Sequence, residues 1–277
     1  MTNAPPTSLL LALHEATLVQ NGLRILDNLS LQIPDGEHCA IFGPNGSGKS
    51  SLIKLITRQW YPLAHADGSP SMTLFGKDRW NIFALRALLG IVSSDLHQDF
   101  TRDPERRGLE LVLSGFFASH GLADHHAVTA AMQDAAHNAL ALMEAGMLAD
   151  KPLAEMSTGQ ARRVLIARAL AHNPRALLLD EPTAGLDIVA ARRFLLSLRR
   201  LAQAGKTVLL VTHHVEEILP EIQRVILLRD GGVFFDGPKS EALTSARLSA
   251  LFDAPVTVTQ TGDYFDAHVG DILAPFE

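Results

Sequence analysis

The sequence predicts an α/β protein whose core is a mainly parallel, covered sheet, joined to an antiparallel β subdomain and interrupted by an α-helical insertion. Three observations carry this prediction. From Arg175 onward, short apolar strands alternate with helices: "ALLLDEP", a helix over residues 188 to 203, "TVLLVTH" and a further short helix. That alternation is the mark of a parallel sheet covered by helices. Near the start, "LALHEATLV" and "LSLQIPDGEHCAIFG" alternate apolar and polar residues, as half-buried strands do. From about Asp95 to Leu170 the chain is Ala-rich and poor in β-branched runs, which favours helix.

In chain order, residues 1 to 8, "MTNAPPTS", read as a loose, flexible start. The meander that follows carries turn signals at Asn21-Gly22 and Pro34-Asp35-Gly36, residue types that accept turn backbone at low cost. A helix is expected from Ser50 to about Trp60, with Leu52, Ile53, Leu55 and Ile56 facing inward. Trp60-Tyr61-Pro62 is expected to pack and to stop it. "SMTLFG" reads as a strand, and "RVILLRDGGVFFDG" follows the later strand–helix alternation. "EALTSARLSALFD", residues 241 to 253, is amphipathic and is expected to cover its own domain. One domain is therefore expected over about 9 to 252, with its helical part at about 95 to 170. The tail from 253 to 277 shows little beyond a strand signal at "VTVT".

Composition narrows the partners. The formal net charge of −6 lacks the basic excess of a general nucleic-acid binder. The single cysteine, Cys39, lies in the apolar run "CAIF". It reads as a buried strand residue, and one cysteine forms no internal disulfide, which fits a reducing compartment. No apolar stretch reaches the ~18 residues of a membrane span, and the early "LLLAL" lacks the basic flank of a signal peptide. A cytoplasmic chain is expected, attached to a membrane only through a partner.

The chemistry starts at "GPNGSGKS", Gly43 to Ser50. It satisfies G-x-x-x-x-G-K-[ST], follows the strand "CAIF" and opens a helix, which is the context this pattern requires of a P-loop NTPase core. Gly43, Gly46 and Gly48 let the backbone curl so that its N–H groups point at phosphate. Pro44, Asn45, Ser47 and Ser51 complete the cradle. Lys49 supplies positive charge to the β- and γ-phosphates and Ser50 a hydroxyl to Mg²⁺. A Gly-rich turn with a chance lysine is the plain alternative, and the agreement of pattern with context argues against it. "ALLLDEP" is the second half: acids emerge at the carboxyl edge of a buried strand, where α/β sheets hold ligands. Asp180 is placed to hold Mg²⁺ through water, as in other P-loop NTPases, and Glu181 to polarise the attacking water.

"MSTGQARRVLIARAL", residues 156 to 170, raises a question. Leu165, Ile166, Ala169 and Leu170 give one apolar helix face, and Ser157-Thr158-Gly159-Gln160 precede it. The free N–H groups of a helix start attract anions, yet a phosphate site already exists elsewhere in the chain.

On these residues the chain resembles the nucleotide-binding domain of ATP-binding cassette (ABC) proteins, over about residues 10 to 240. "STGQ" looks like that family's signature, "AGLD" (Ala184 to Asp187) like its D-loop, and "VTHH" places His213 as the switch histidine. The resemblance implies ATP and Mg²⁺ as ligands and two domains stacked head to tail. The partner is a second copy or a homologous cassette. Ser157, Thr158, Gly159 and Gln160 of one cassette would then cap the γ-phosphate held by the other's P-loop. His213 would contact that phosphate, and Asp187 would communicate between the paired sites. Arg162 and Arg163 are expected at the surface or interface. His214 is also expected at the surface, since only one of the two histidines points inward from a strand end.

Three departures from the family pattern stand out. The adenine-stacking aromatic should fall near Val19-Gln20, where none exists, which leaves aliphatic surface such as Ile25. The glutamine that usually reaches Mg²⁺ is replaced in "GIVSSDLHQDF" by Ser94, with Gln98 the weaker substitute. Thr158 replaces the signature's first usual glycine. "VSS", "STG" and "LSGFFAS" resemble stand-alone ABC ATPases of the molybdate and photorepair types. His120, His125 and His126 read as an exposed loop, because no cysteine or carboxylate pattern completes a metal site.

The expected function is an ATP-hydrolysing cassette that dimerises on ATP and powers transport through a separate membrane permease, gripped by residues 94 to 100 and the helical part. The alternative is a soluble ABC ATPase that remodels a protein or nucleic-acid complex. A single cassette and acidic charge disfavour its translation type, and the lack of a long coiled coil disfavours its DNA-repair type.

Overall fold

The computed structural model describes residues 8–93, 105–117, 119, 122 and 126–270. Its elements run β1 (Leu9–Gln20), β2 (Leu23–Pro34), β3 (Cys39–Phe42), α1 (Lys49–Ile56), β4 (Met72–Leu74), α2 (Ile82–Leu88), β5 (Leu89–Val92) and α3 (Gly108–Ser114). There follow α4 (Ala130–Leu142), α5 (Thr158–Leu170), β6 (Ala176–Asp180), α6 (Ile188–Gln203), β7 (Thr207–Thr212) and β8 (Arg224–Arg229). The chain closes with β9 (Gly232–Pro238), α7 (Lys239–Ala242), α8 (Ser245–Phe252), β10 (Val256–Thr261) and β11 (Tyr264–Val269). Two compact units share these elements, Met1–Trp80 with Thr207–Glu277 and Asn81–Lys206.

In the first unit, β1 pairs antiparallel with β2 and with β4. Leu11, Leu13, Leu18, Leu26, Leu29 and Ile33 are buried along the pair. The two residues between β1 and β2 are Asn21 (φ 51°) and Gly22 (φ 78°), the left-handed pair that a tight hairpin demands. β3 pairs parallel with β7 on one side and β8 on the other, so all four residues of "CAIF" are buried. That burial pushes the Cys39 thiol well above its ordinary range, leaving a packing residue and not a nucleophile. β9 returns antiparallel on β8.

α1 ends at Ile56, one turn before the expected stop at Trp60. Arg58 takes a left-handed φ of 58°. Trp60 receives the Lys54 ammonium over its ring at 4.3 Å, whereas Tyr61 is exposed and packs little. α8 buries Leu248 and Leu251. Beyond residue 252 the chain forms a hairpin, β10 with β11. Ser249 Oγ accepts the Val256 N–H at 2.9 Å and Ser245 Oγ the Val258 N–H at 2.9 Å, tying that hairpin to α8.

In the second unit, β5 pairs parallel with β6. Asn81 caps α2 by accepting the amides of Phe83 and Ala84. α5 is buried on most sides, through Val164, Leu165, Ile166, Ala167 and Leu170. It packs against β5 at Gly90, where a Cβ would lie 2.7 Å from the Ala169 carbonyl oxygen. Arg168 ties α5 to the α3 end by donating to Ser114 Oγ and the Ser119 carbonyl. Burial, and then the like charges of Arg86 and Arg106, lower its pKa to about 10. α6 turns Phe194, Leu195, Leu198 and Leu201 inward. Among the described residues no helix is long and apolar enough to cross a membrane.

Candidate active site

The first unit carries the phosphate loop, between β3 and α1. Gly43 runs so close to β8 that a Cβ would lie 2.3 Å from the Leu228 carbonyl oxygen, so only glycine fits there. Gly46 (φ 83°) and Gly48 (φ 102°) are left-handed, the backbone that curls successive amides into an anion-binding concavity. The loop is anchored from outside: Gly231 N–H donates to the Ser47 carbonyl at 3.2 Å, and Asp27 N–H to the Gly231 carbonyl at 3.1 Å.

The Lys49 ammonium is almost fully buried and donates to the carbonyls of Gly43 (2.6 Å) and Pro44 (2.8 Å). Ser47 is buried as well, and its Oγ has no hydrogen-bond partner among the described residues. A buried hydroxyl without a partner is costly, and phosphate oxygen in the curl of the loop would relieve it. Asn45, Gly46 and Ser50 are exposed, and Pro44 and Ser51 part-buried. β2 runs beside this loop: a Cβ on Gly48 would lie 2.7 Å from Leu26 Cδ2 and 3.6 Å from the Ile25 carbonyl oxygen. Near it, Val19 and Leu23 leave apolar surface exposed.

His213 follows the end of β7 and is part-buried. The His214 side chain is 44% exposed, in keeping with the surface position expected of it, while its ring stays beside that of His213. Their centroids lie 4.0 Å apart with a 38° tilt, just past the end of β7 at Thr212.

The second unit carries the acids and the signature. β6 is buried from Ala176 to Leu179, and Asp180 emerges part-buried. Glu181 follows with φ 44°, a left-handed conformation rare for a residue with a long side chain. Such backbone persists where surrounding structure enforces it; here the Ala184 N–H closes a turn on the Glu181 carbonyl at 3.1 Å. Asp187 is exposed and caps α6, its Oδ1 accepting the Ala190 N–H at 2.8 Å.

Ser157 caps α5 in a reciprocal arrangement. Its Oγ accepts the Gln160 N–H at 3.3 Å, and Gln160 Oε1 accepts the Ser157 N–H at 3.1 Å. Lys151 Nζ donates to the same Gln160 oxygen at 3.2 Å. The Gln160 side chain is thus engaged in holding the helix start, while Ser157 and Thr158 stay exposed. Gly159 lies beside the α6 start: a Cβ there would be 3.4 Å from Ala190 Cβ and 3.9 Å from Leu186 Cδ2. Ile188 and Val189, next to Asp187, are exposed.

Arg162 corrects the expectation of a surface or interface residue. It is buried, and its Nη2 donates to the Ala184 carbonyl at 3.0 Å, so it braces the segment between Glu181 and Asp187. Its neighbour Arg163, one helical step around, donates to the Glu144 carbonyl at 3.0 Å.

Ser94 and Gln98 lie outside the described residues, as do His120 and His125. His126 stacks on Phe117 at 4.1 Å. No group of three or more His, Cys, Asp or Glu side chains poised for a metal occurs among the described residues. Mg²⁺ bound with phosphates does not need one: it takes one or two protein oxygens and fills its shell with water and substrate. Each unit offers an oxygen of that kind, the exposed Ser50 in the first and the part-buried Asp180 in the second.

The family model described as ABC transporter matches residues 26–184. The ABC transporter ATP-binding protein YlmA of Bacillus subtilis is 34% identical over 92% of this chain and 95% of its own length. The phosphonates import ATP-binding protein PhnC of Pseudomonas putida is 38% identical over 87% of this chain and 88% of its own. Among solved structures, a dimeric ATP-binding cassette in a post-hydrolysis state, bound to ADP and Pi, is 28% identical with a TM-score of 0.63. The match covers 82% of this chain and 98% of that one.

Proposed function

The chain belongs to the ABC transporter ATP-binding family, and from that premise we propose how its residues divide the work of ATP hydrolysis and what the hydrolysis drives. It is an ATP-binding, ATP-hydrolysing cassette. The loop amides of Gly43 to Ser51 and the Lys49 ammonium hold the phosphate chain; Lys49 is pre-positioned by its own loop carbonyls. Ser50 and Asp180 would hold Mg²⁺, which when bound would supply positive charge against the charge that develops on the phosphates. Glu181 orients and polarises the attacking water, and His213 contacts the γ-phosphate. Aliphatic surface around Val19, Leu23 and Ile25 takes the adenine.

The signature turn of Ser157, Thr158 and Gly159 caps the nucleotide of a second cassette, and Asp187 stands at the same face. The same-chain role of Gln160 is to hold Ser157. Closing the site between two copies excludes water, and so strengthens each charge interaction inside it. Transport runs through a separate membrane permease, which holds the cassette at the membrane face. Import is the favoured direction because the relative PhnC is named as an import protein.

The observation that carries the catalytic reading is Glu181, turned by a left-handed backbone at the point where β6 ends. Glu181→Gln keeps the shape and removes the base. Its ATP binding is expected to match the parent, while turnover falls about a hundredfold or more. Parent-level phosphate release by a clean preparation of the variant would remove Glu181 from the mechanism.

A further inference from the structure

The proposed mechanism uses one histidine of "VTHH" and leaves the other without a task. Thr212, fully buried at the end of β7, accepts the backbone N–H of His214 on its Oγ1 at 2.9 Å. Such a side-chain bond closes a local turn, and it sets the direction in which His214 leaves the strand. The turn Val215–Glu217 follows at once, with Val215 and Glu217 buried, so the backbone on both sides of His214 is anchored. Glu216, the exposed member of that turn, brings a carboxylate oxygen to 3.4 Å from His214 Nδ1. The His214 ring held this way lies on the ring of His213, centroids 4.0 Å apart.

A ring that must present one nitrogen to a reacting group works best when its rotamer is restricted before substrate arrives. His213 stands at a strand end, part-buried, where core packing alone does not surround it. We propose that His214 is a positioning residue for the known reaction: its ring, directed by the turn that Thr212 closes on its backbone, is the wall that limits rotation of the His213 imidazole. The inference rests on the role given above to His213. The competing account is an ordinary surface ion pair. The His214 side chain is 44% exposed, and exposed pairs contribute little to stability. That account allows His214 to be changed with no kinetic consequence.

Steady-state ATPase kinetics and melting temperatures of His213→Ala, His214→Ala and His214→Phe separate the two accounts. His213→Ala is expected to lose hydrolysis. His214→Ala should melt like the parent and show kcat lowered about tenfold with KM for ATP unchanged. His214→Phe restores a flat ring without a titratable nitrogen and should recover most of kcat. Parent-level kcat in His214→Ala beside an inactive His213→Ala would overturn the inference while leaving His213 in place. A His214→Phe variant as slow as His214→Ala, with its fold intact, would overturn the wall itself. Parent-level hydrolysis by His213→Ala would remove the role of His213, and the inference with it.

Discussion

Gly48 carries two constraints at a single residue. Its φ of 102° is unfavourable for any L side chain, and a Cβ there would lie 2.7 Å from Leu26 Cδ2. Alanine where φ is positive destabilises by more than about 1 kcal/mol, and here the strain falls on the loop proposed to hold phosphate. Gly48→Ala is therefore expected to weaken ATP binding by about tenfold, the equivalent of ~1.4 kcal/mol, as read by titration with a fluorescent ATP analogue. Binding at the parent's affinity would mean that the loop accommodates the strain without changing shape. The need for glycine here was legible in the sequence, because the spacing from Gly43 to Ser50 states the loop. The left-handed turn of Glu181 was not, since no residue type there announces it; nor was Arg162, whose burial depends on a carbonyl more than twenty residues away.

At the scale of elements, two helices start on residues that the site also uses. Ser157 caps α5 and Asp187 caps α6, so each position combines a structural task with a proposed functional one. Losing an N-cap costs about 1 kcal/mol, which corresponds to a melting shift of roughly 2–4 °C in a protein of this size class. Asp187→Ala should show that shift by calorimetry, and Asp187→Asn, which keeps a capping oxygen, should not. Equal melting of the two variants would deny the cap its energetic role. Helices α5 and α6 were legible in sequence from their apolar spacing. The hairpin of β10 and β11 was only half legible: "VTVT" signalled the first strand, while the second rests on pairing such as Val258 with Ala267. The alternation of "YFDAHV" and the turn at Gly262-Asp263 were the signals that would have found it.

At the scale of the whole molecule, Gly159 speaks for a partner. A Cβ there would make only ordinary contacts with Ala190 and Leu186, so local packing does not require glycine. Exposed Ser157, Thr158, Ile188 and Val189 leave the same part of the second unit open. If a second copy supplies the cap, specific ATPase activity falls as the protein is diluted, and sedimentation at matched concentrations shows dimers with ATP and Glu181→Gln. Activity flat on dilution in a strictly monomeric preparation would sink the paired site. The amino-acid order by itself pointed to the family and the nucleotide, because those are read from residue types at fixed intervals, in the segment from Gly43 to Ser50 and again around Ser157, Asp180, Asp187 and His213. Only the tertiary structure decided how Glu181 is turned, that Arg162 braces the Glu181–Asp187 segment, that Gln160 holds Ser157 and that His214 backs His213. Each of those is settled by where the backbone turns and by which groups, near or distant in sequence, the fold then brings within reach.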